Sequence, residues 1–146
     1  MRIYIASDHA AFEAKAQLIK FLSLKYDIID LGTTSADSTD YPIWSEKLVR
    51  AVHQDSTYGI LLCGSGIGVS MVANRYQGMR AALCRDEDDA QMARRHNDAN
   101  VLCLSGRKTP IELMNKISEV FLTTSFEGER HQRRINLFNN LVEPLS

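Results

Sequence analysis

Gly59-Ile60-Leu61-Leu62-Cys63-Gly64-Ser65-Gly66-Ile67-Gly68-Val69 decides how the rest of the chain is read. The unbroken apolar run suits a strand buried on both faces, as in a parallel sheet covered by helices. It empties into a thiol and then three glycines at alternating positions. Glycines so spaced let the backbone turn tightly and approach a ligand with its N–H groups free, and the next helix adds its positive end. A cysteine at a helix N-terminus can ionise well below the ordinary thiol range, which makes Cys63 a candidate base or nucleophile near neutral pH. The competing local reading is a small buried cysteine ahead of a packed glycine turn.

Outward from this stretch, short apolar runs recur at Ile3 to Ala6, Ile28 to Leu31, Ala81 to Cys84 and Val101 to Leu104, and with Gly59 to Leu62 they make five candidate strands. Amphipathic stretches such as Phe12 to Leu24 and Ile43 to Val52 separate them. The pattern predicts an α/β/α sandwich around a five-stranded parallel sheet. Thr39-Asp40-Tyr41-Pro42 reads as a helix start with Asp40 or Tyr41 near the cap, Thr109-Pro110 opens another, and Arg130 to Leu141 reads as a C-terminal helix after a loop at 123–128. At 146 residues the chain fits a single domain, 1–146.

A net charge of -1 with 45% hydrophobic residues argues against a nucleic-acid or polybasic membrane surface and for a small ligand. Cys63, Cys84 and Cys103 form no Cys-x-x-Cys pair, and their odd number fits free thiols in a reducing, cytoplasmic setting. No run approaches the length of a membrane span, and Asp8 arrives too early for a signal sequence.

Ligands of open α/β sheets bind outside the carboxyl ends of the strands. The residues there are Ser7-Asp8-His9, Cys63-Gly64-Ser65 and Ser105-Gly106-Arg107, which puts acid, imidazole, thiol, hydroxyl and guanidinium on one rim. Arg130 and Arg134 are four apart and share a helix face, able to grip one dianionic phosphate or else to form an ordinary solvated face. His96, in Arg95-His96-Asn97-Asp98, is a candidate titrating group or a plain surface residue. The four histidines show no i, i+4 pair among themselves and no Cys/His metal spacing, so no metal is expected. Gly64-x-Gly66-x-Gly68 with Asp86 some way on evokes a dinucleotide loop, but only Ile67 separates the second and third glycines and the loop does not come after the first strand.

Taken together, Ser7-Asp8-His9-Ala10-Ala11-Phe12, Asp40-Tyr41-Pro42, Cys63 to Gly68, Arg95 to Asp98 and Gly128 to Arg134 resemble the type B ribose-5-phosphate isomerase family, which includes galactose- and allose-6-phosphate isomerases. The resemblance covers nearly the whole chain. It implies a Rossmann-like fold, a homodimer or homotetramer whose active sites are shared between subunits, a phosphorylated sugar as substrate, and neither metal nor organic cofactor. By position Cys63 would be the base at carbons 1 and 2, Ser65 the hydroxyl orienting it, and His96 the acid of ring opening. Asp8 and Asn97 would hold sugar hydroxyls, and Tyr41 would line the pocket. The phosphate would rest on His9, Arg107, Arg130 and Arg134, and the N–H groups of Gly64, Ser65, Gly66, Ile67 and Gly68 would form an anion hole. One branch of the family places its base, a glutamate, where this chain has Val69; valine accepts no proton, which leaves Cys63. Ala11 stands where many members have glycine. The resemblance implies ribose 5-phosphate and ribulose 5-phosphate as the interconverted pair, with six-carbon phosphates or a non-catalytic nucleotide-binding module as alternatives.

Overall fold

A computed structural model describes residues 1–145. Five strands, β1 Arg2–Ser7, β2 Asp27–Asp30, β3 Tyr58–Cys63, β4 Ala81–Leu83 and β5 Val101–Ser105, form one parallel sheet in the order β2-β1-β3-β5-β4. Six helices connect or succeed them: α1 Phe12–Leu22, α2 Tyr41–Asp55, α3 Ile67–Ala73, α4 Glu87–Asn97, α5 Ile111–Thr123 and α6 Arg130–Asn136. Among the described residues no helix is long and apolar enough to cross a membrane.

The alternation along the strands explains why helices cover both faces. Ile60, Leu62, Leu102 and Leu104 point into one core with Leu18, Leu22, Ile117 and Phe121 of α1 and α5. Leu61, Cys63, Val101 and Cys103 point into the other with Leu48, Val49 and Val52 of α2 and Val69 of α3. Each fully buried Leu or Ile contributes about 1.5–3 kcal/mol relative to an exposed one, so the sheet cannot shift register by one residue without exchanging its two cores.

The element boundaries differ from the sequence expectation in instructive places. The apolar pattern of the first helix runs to Leu24, yet α1 ends at Leu22 and Leu24 is exposed. Asp40 stands at the N-cap position of α2, without a side-chain capping bond, and Pro42 lies in the first turn, as expected. The last helix, expected to reach Leu141, stops at Asn136 because the chain after it is captured elsewhere. The Asn139 carbonyl accepts the Gly78 N–H (3.0 Å), and its side-chain oxygen accepts from Arg80 Nη1 (2.5 Å).

Candidate active site

Connections from β1 and β3 leave toward opposite edges of the sheet, so the gap between the carboxyl ends of these adjacent strands is the topological switch point, where α/β sheets bind ligands. A cavity of about 370 Å³ lies there, lined by Asp8, His9, Tyr41, Cys63, Gly64, Ser65, Gly68 and Arg107, together with Ala10 and Lys108. A larger hollow of about 520 Å³ beside Val49, Tyr76 and Met79 carries neither thiol nor carboxylate.

The loop after β3 is held in place by the end of β5. Ser105 Oγ donates to the Gly64 carbonyl (2.7 Å), the Gly106 N–H to the Cys63 carbonyl (2.8 Å), and the Arg107 N–H to the Gly64 carbonyl (3.1 Å). Gly106 permits this approach, since a Cβ there would stand 2.6 Å from Ala11 Cβ. Gly66 turns the chain at φ +77° into α3, and its N–H donates to Cys63 Sγ (3.1 Å), fixing the sulfur at the cavity wall. The Arg107 guanidinium lies over Gly64, and the Tyr41 ring packs on Gly68.

The expected five-donor anion hole is corrected by this geometry. The Gly66 N–H is bound to the Cys63 sulfur and the Ile67 N–H to Ser65 Oγ (3.2 Å), because so tight a turn folds its own donors back onto the side chains that precede them. Among the described residues the N–H groups of Gly64, Ser65 and Gly68 have no protein acceptor, so a ligand oxygen can take them.

On the opposite wall Asp8 is buried and accepts the Ala10 N–H (3.1 Å), capping a short 3₁₀ turn at His9–Ala11. His9 Nδ1 accepts the Thr39 N–H (3.1 Å), and Trp44 Nε1 holds Thr39 through its hydroxyl (3.2 Å). Arg107 makes no ion pair among the described residues, so its charge is available to an anion.

The three thiols are not equivalent. Burial, reinforced by Asp89 and Asp86, pushes the Cys84 thiol up to about 12, and burial above all drives Cys103 well above the ordinary range. Neither lines the cavity, which leaves Cys63 as its only sulfur.

His96, Asn97, Arg130 and Arg134 are not among the residues lining this cavity. His96 and Asn97 end α4, where Arg80 Nε binds the Asn97 carbonyl (3.1 Å) and Arg94 Nη1 binds Asp98 (2.8 Å). His96 stacks on His131 of α6 with ring centroids 4.4 Å apart and planes 14° from parallel. Glu127 Oε2 stands 3.4 Å from His131 Nε2 and 3.7 Å from His96 Nε2, while Arg95 Nε holds Oε1 (2.6 Å). Arg95 draws the Glu127 carboxyl below its usual range, and burial, with Arg130 and His96 adding to it, lowers His131. Sequence reasoning assigned no role to Lys108, Thr39, Glu127 or His131. The i, i+4 spacing of Glu127 and His131 was the one available signal; nothing in sequence brings His96 to them.

Residues 3–138 match the family model described as Ribose/Galactose Isomerase, and the chain belongs to that family. Its members are enzymes, and the resemblance drawn from the spaced motifs is borne out over most of the chain. The structure is similar to that of a ribose 5-phosphate isomerase B from Thermotoga maritima, with TM-score 0.93 and 48% identity over 94% of this chain and 97% of that one. A ribose-5-phosphate isomerase B from Mycoplasma genitalium, solved with bound ribulose-5-phosphate, aligns with TM-score 0.89 and 41% identity over 93% and 92% of the two chains. The Escherichia coli ribose-5-phosphate isomerase B is 38% identical over 92% of this chain and 91% of its own.

Proposed function

We propose that this chain interconverts ribose 5-phosphate and ribulose 5-phosphate through an enediolate, using its own side chains and no cofactor. The observation that carries the reading is the convergence of Cys63, the unbonded N–H groups of Gly64, Ser65 and Gly68, and the Arg107 guanidinium on one switch-point cavity.

Aldose–ketose exchange needs a base at C2 and donors where the C1 oxygen gains charge. Cys63 as thiolate takes the C2 proton of the open-chain aldose, the electron pair moves through the new C1–C2 double bond onto O1, and the three loop N–H groups receive that oxyanion. O2 then gives its proton to O1, the proton held by Cys63 returns to C1, and the electron pair on O2 closes the C2 ketone, which leaves Cys63 as thiolate again. One such oxyanion donor is worth about 2.7–4 kcal/mol and a positioned general base about 10²- to 10⁴-fold. Ser65 orients the base, Asp8 and Asn97 hold sugar hydroxyls, and Tyr41 closes the pocket wall. His9, Arg107, Arg130 and Arg134 bind the phosphate, whose remote binding energy orients the reacting carbons; free ribose lacks that grip and is therefore a poor substrate.

One chain alone does not bring His96 to Cys63, and a site shared between two copies resolves this. The second copy supplies His96 for ring opening together with Asn97, Arg130 and Arg134, so the working unit is a homodimer or a pair of dimers in the cytoplasm.

The test is ribulose 5-phosphate formation with no added metal or nucleotide. Wild type turns over and folded Cys63→Ala falls by about 10²-fold or more. Cys63→Ala and His96→Ala, each inactive alone, recover activity after being unfolded and refolded together, because mixed dimers contain one intact site. A fully active Cys63→Ala removes the base assignment, and absence of recovery removes the shared site.

A further inference from the structure

His96, Glu127 and His131 come from the end of α4, the loop before α6 and α6 itself, and their donor atoms all lie within 4.8 Å of one another. His131 is 6% exposed, and its Nε2 is buried without a hydrogen-bond partner although Glu127 Oε2 stands 3.4 Å away. A charge-assisted N–H···O bond is shorter, about 2.7–2.9 Å. Separations of 3.4 and 3.7 Å to a shared oxygen suit another arrangement. Zinc bonds of about 2.0–2.2 Å at tetrahedral angles place neighbouring donors roughly 3.3–3.5 Å apart.

We propose that His96, Glu127 and His131 form a three-donor site for a borderline divalent transition-metal ion, zinc being the best match. Two imidazoles and a carboxylate are a zinc donor set, whereas calcium and magnesium seek oxygen shells. Arg95 already holds Glu127 Oε1, so it orients the carboxylate with Oε2 turned toward the histidines, the part an outer-shell partner plays. In the single chain the side chains of His96 and Glu127 are 37% and 33% exposed, so the cluster opens at the surface of the chain, on the side where the second copy's cavity would meet it. The imidazole planes lie 14° from parallel, and the ring that must turn to converge its lone pair is the exposed one, His96, about a soft terminal torsion. The ion is an inhibitor here and not a cofactor: bound to His96, it removes the nitrogen that gives up a proton in ring opening. That consequence rests on the role proposed for His96; the site itself does not.

The experiment titrates the chelator-stripped full-length protein with zinc chloride against a competing chromophoric chelator, and repeats the titration in cobalt(II), whose visible absorption reports a tetrahedral nitrogen/oxygen shell. Wild type and Cys63→Ala take up one ion per chain with equal affinity, while Glu127→Gln and His131→Gln bind more than about tenfold more weakly, since even outer-shell losses cost 10- to 100-fold. Glu127 is exposed, so its variant folds even where His131→Gln does not. Equal zinc affinity in Glu127→Gln and wild type overturns the site, as does loss of binding in Cys63→Ala. In the isomerase assay zinc inhibits wild type, a chelator restores it, and Glu127→Gln resists. One zinc per chain with unchanged turnover would leave the site standing and overturn the assignment of His96 to ring opening.

Discussion

The rim around Cys63 and the cluster around His96 are both built from polar groups at the ends of regular elements, yet they are assembled in opposite ways. At the rim, adjacent strands deliver their next residues to a common place. Asp8 comes after β1, Gly64 after β3 and Arg107 after β5; the Asp8 N–H bonds the Leu62 carbonyl (3.3 Å), and the Ser105 hydroxyl with the Gly106 and Arg107 N–H groups bonds the carbonyls of Cys63 and Gly64. In the cluster one backbone bond, from the Glu127 N–H to the Arg95 carbonyl (3.1 Å), ties the loop before α6 to α4, while the two rings themselves meet only because α4 and α6 pack against each other. A site built by strand ends is fixed in place by the topology of the sheet. One built by helix packing depends on where a seven-residue helix settles, and its donors remain incompletely paired.

The strongest blow to the rim is Gly66→Ala. Its φ of +77° disfavours a side chain, and a Cβ would stand 2.9 Å from the Leu104 carbonyl carbon and 2.6 Å from Leu83. The loop must shift, taking the Cys63 sulfur contact with it, so kcat/KM for ribose 5-phosphate is expected to fall by about 10²-fold or more, the scale of a misplaced reacting group. Steady-state kinetics on the folded variant check this, and a loss under about threefold would mean that the turn does not place the base.

Arg107→Gln removes the charge over Gly64 while leaving the cluster untouched. Losing a charge-assisted phosphate contact, worth about 1.5–3 kcal/mol, predicts a roughly 10- to 100-fold higher KM for ribose 5-phosphate, with little change in the already poor turnover of free ribose. An equal loss on both substrates would place Arg107 outside phosphate binding.

Gly106→Ala probes the staple beneath the rim. The added Cβ meets Ala11 Cβ at 2.6 Å and Ala11 Cα at 3.0 Å, backbone that cannot swing aside, so the cost is about 1–3 kcal/mol, read as a lower urea midpoint with m unchanged.

The smallest effect separates the cluster from the rim by pH. Burial, Arg130 and His96 keep His131 below its unfolded value, so the unfolded chain binds more protons and stability rises with pH across that window. The contribution is present above about pH 6.5, the ordinary imidazole value, and is lost as the pH falls through the lowered one. Thermal unfolding of His131→Gln therefore shows a shallower loss of Tm on acidification than wild type. Glu127 has the same sign in a lower window. Arg95 depresses its folded value, so its stabilisation is present above the ordinary carboxylate range and fades in acid. A slope identical in wild type and His131→Gln would show that His131 titrates as it does in the unfolded chain.

The sheet, its five apolar strands and the rim were all legible in the order of residues along the chain. Short apolar runs that end in glycine, serine or a charged residue define each strand and the polar group at its carboxyl end, and the parallel arrangement then sends all those ends to one side. Asp8, His9, Cys63 and Arg107 could therefore be read as neighbours from the order of residues, whereas Tyr41, at the start of α2, came to the pocket only through the family resemblance. Tertiary packing alone decided where α6 stops and that His131 leaves the charged face to lie buried on His96. Those outcomes hang on contacts between residues distant in sequence, Asn139 with Gly78 and Arg80, Arg95 with Glu127, and no local periodicity encodes a partner that far along the chain.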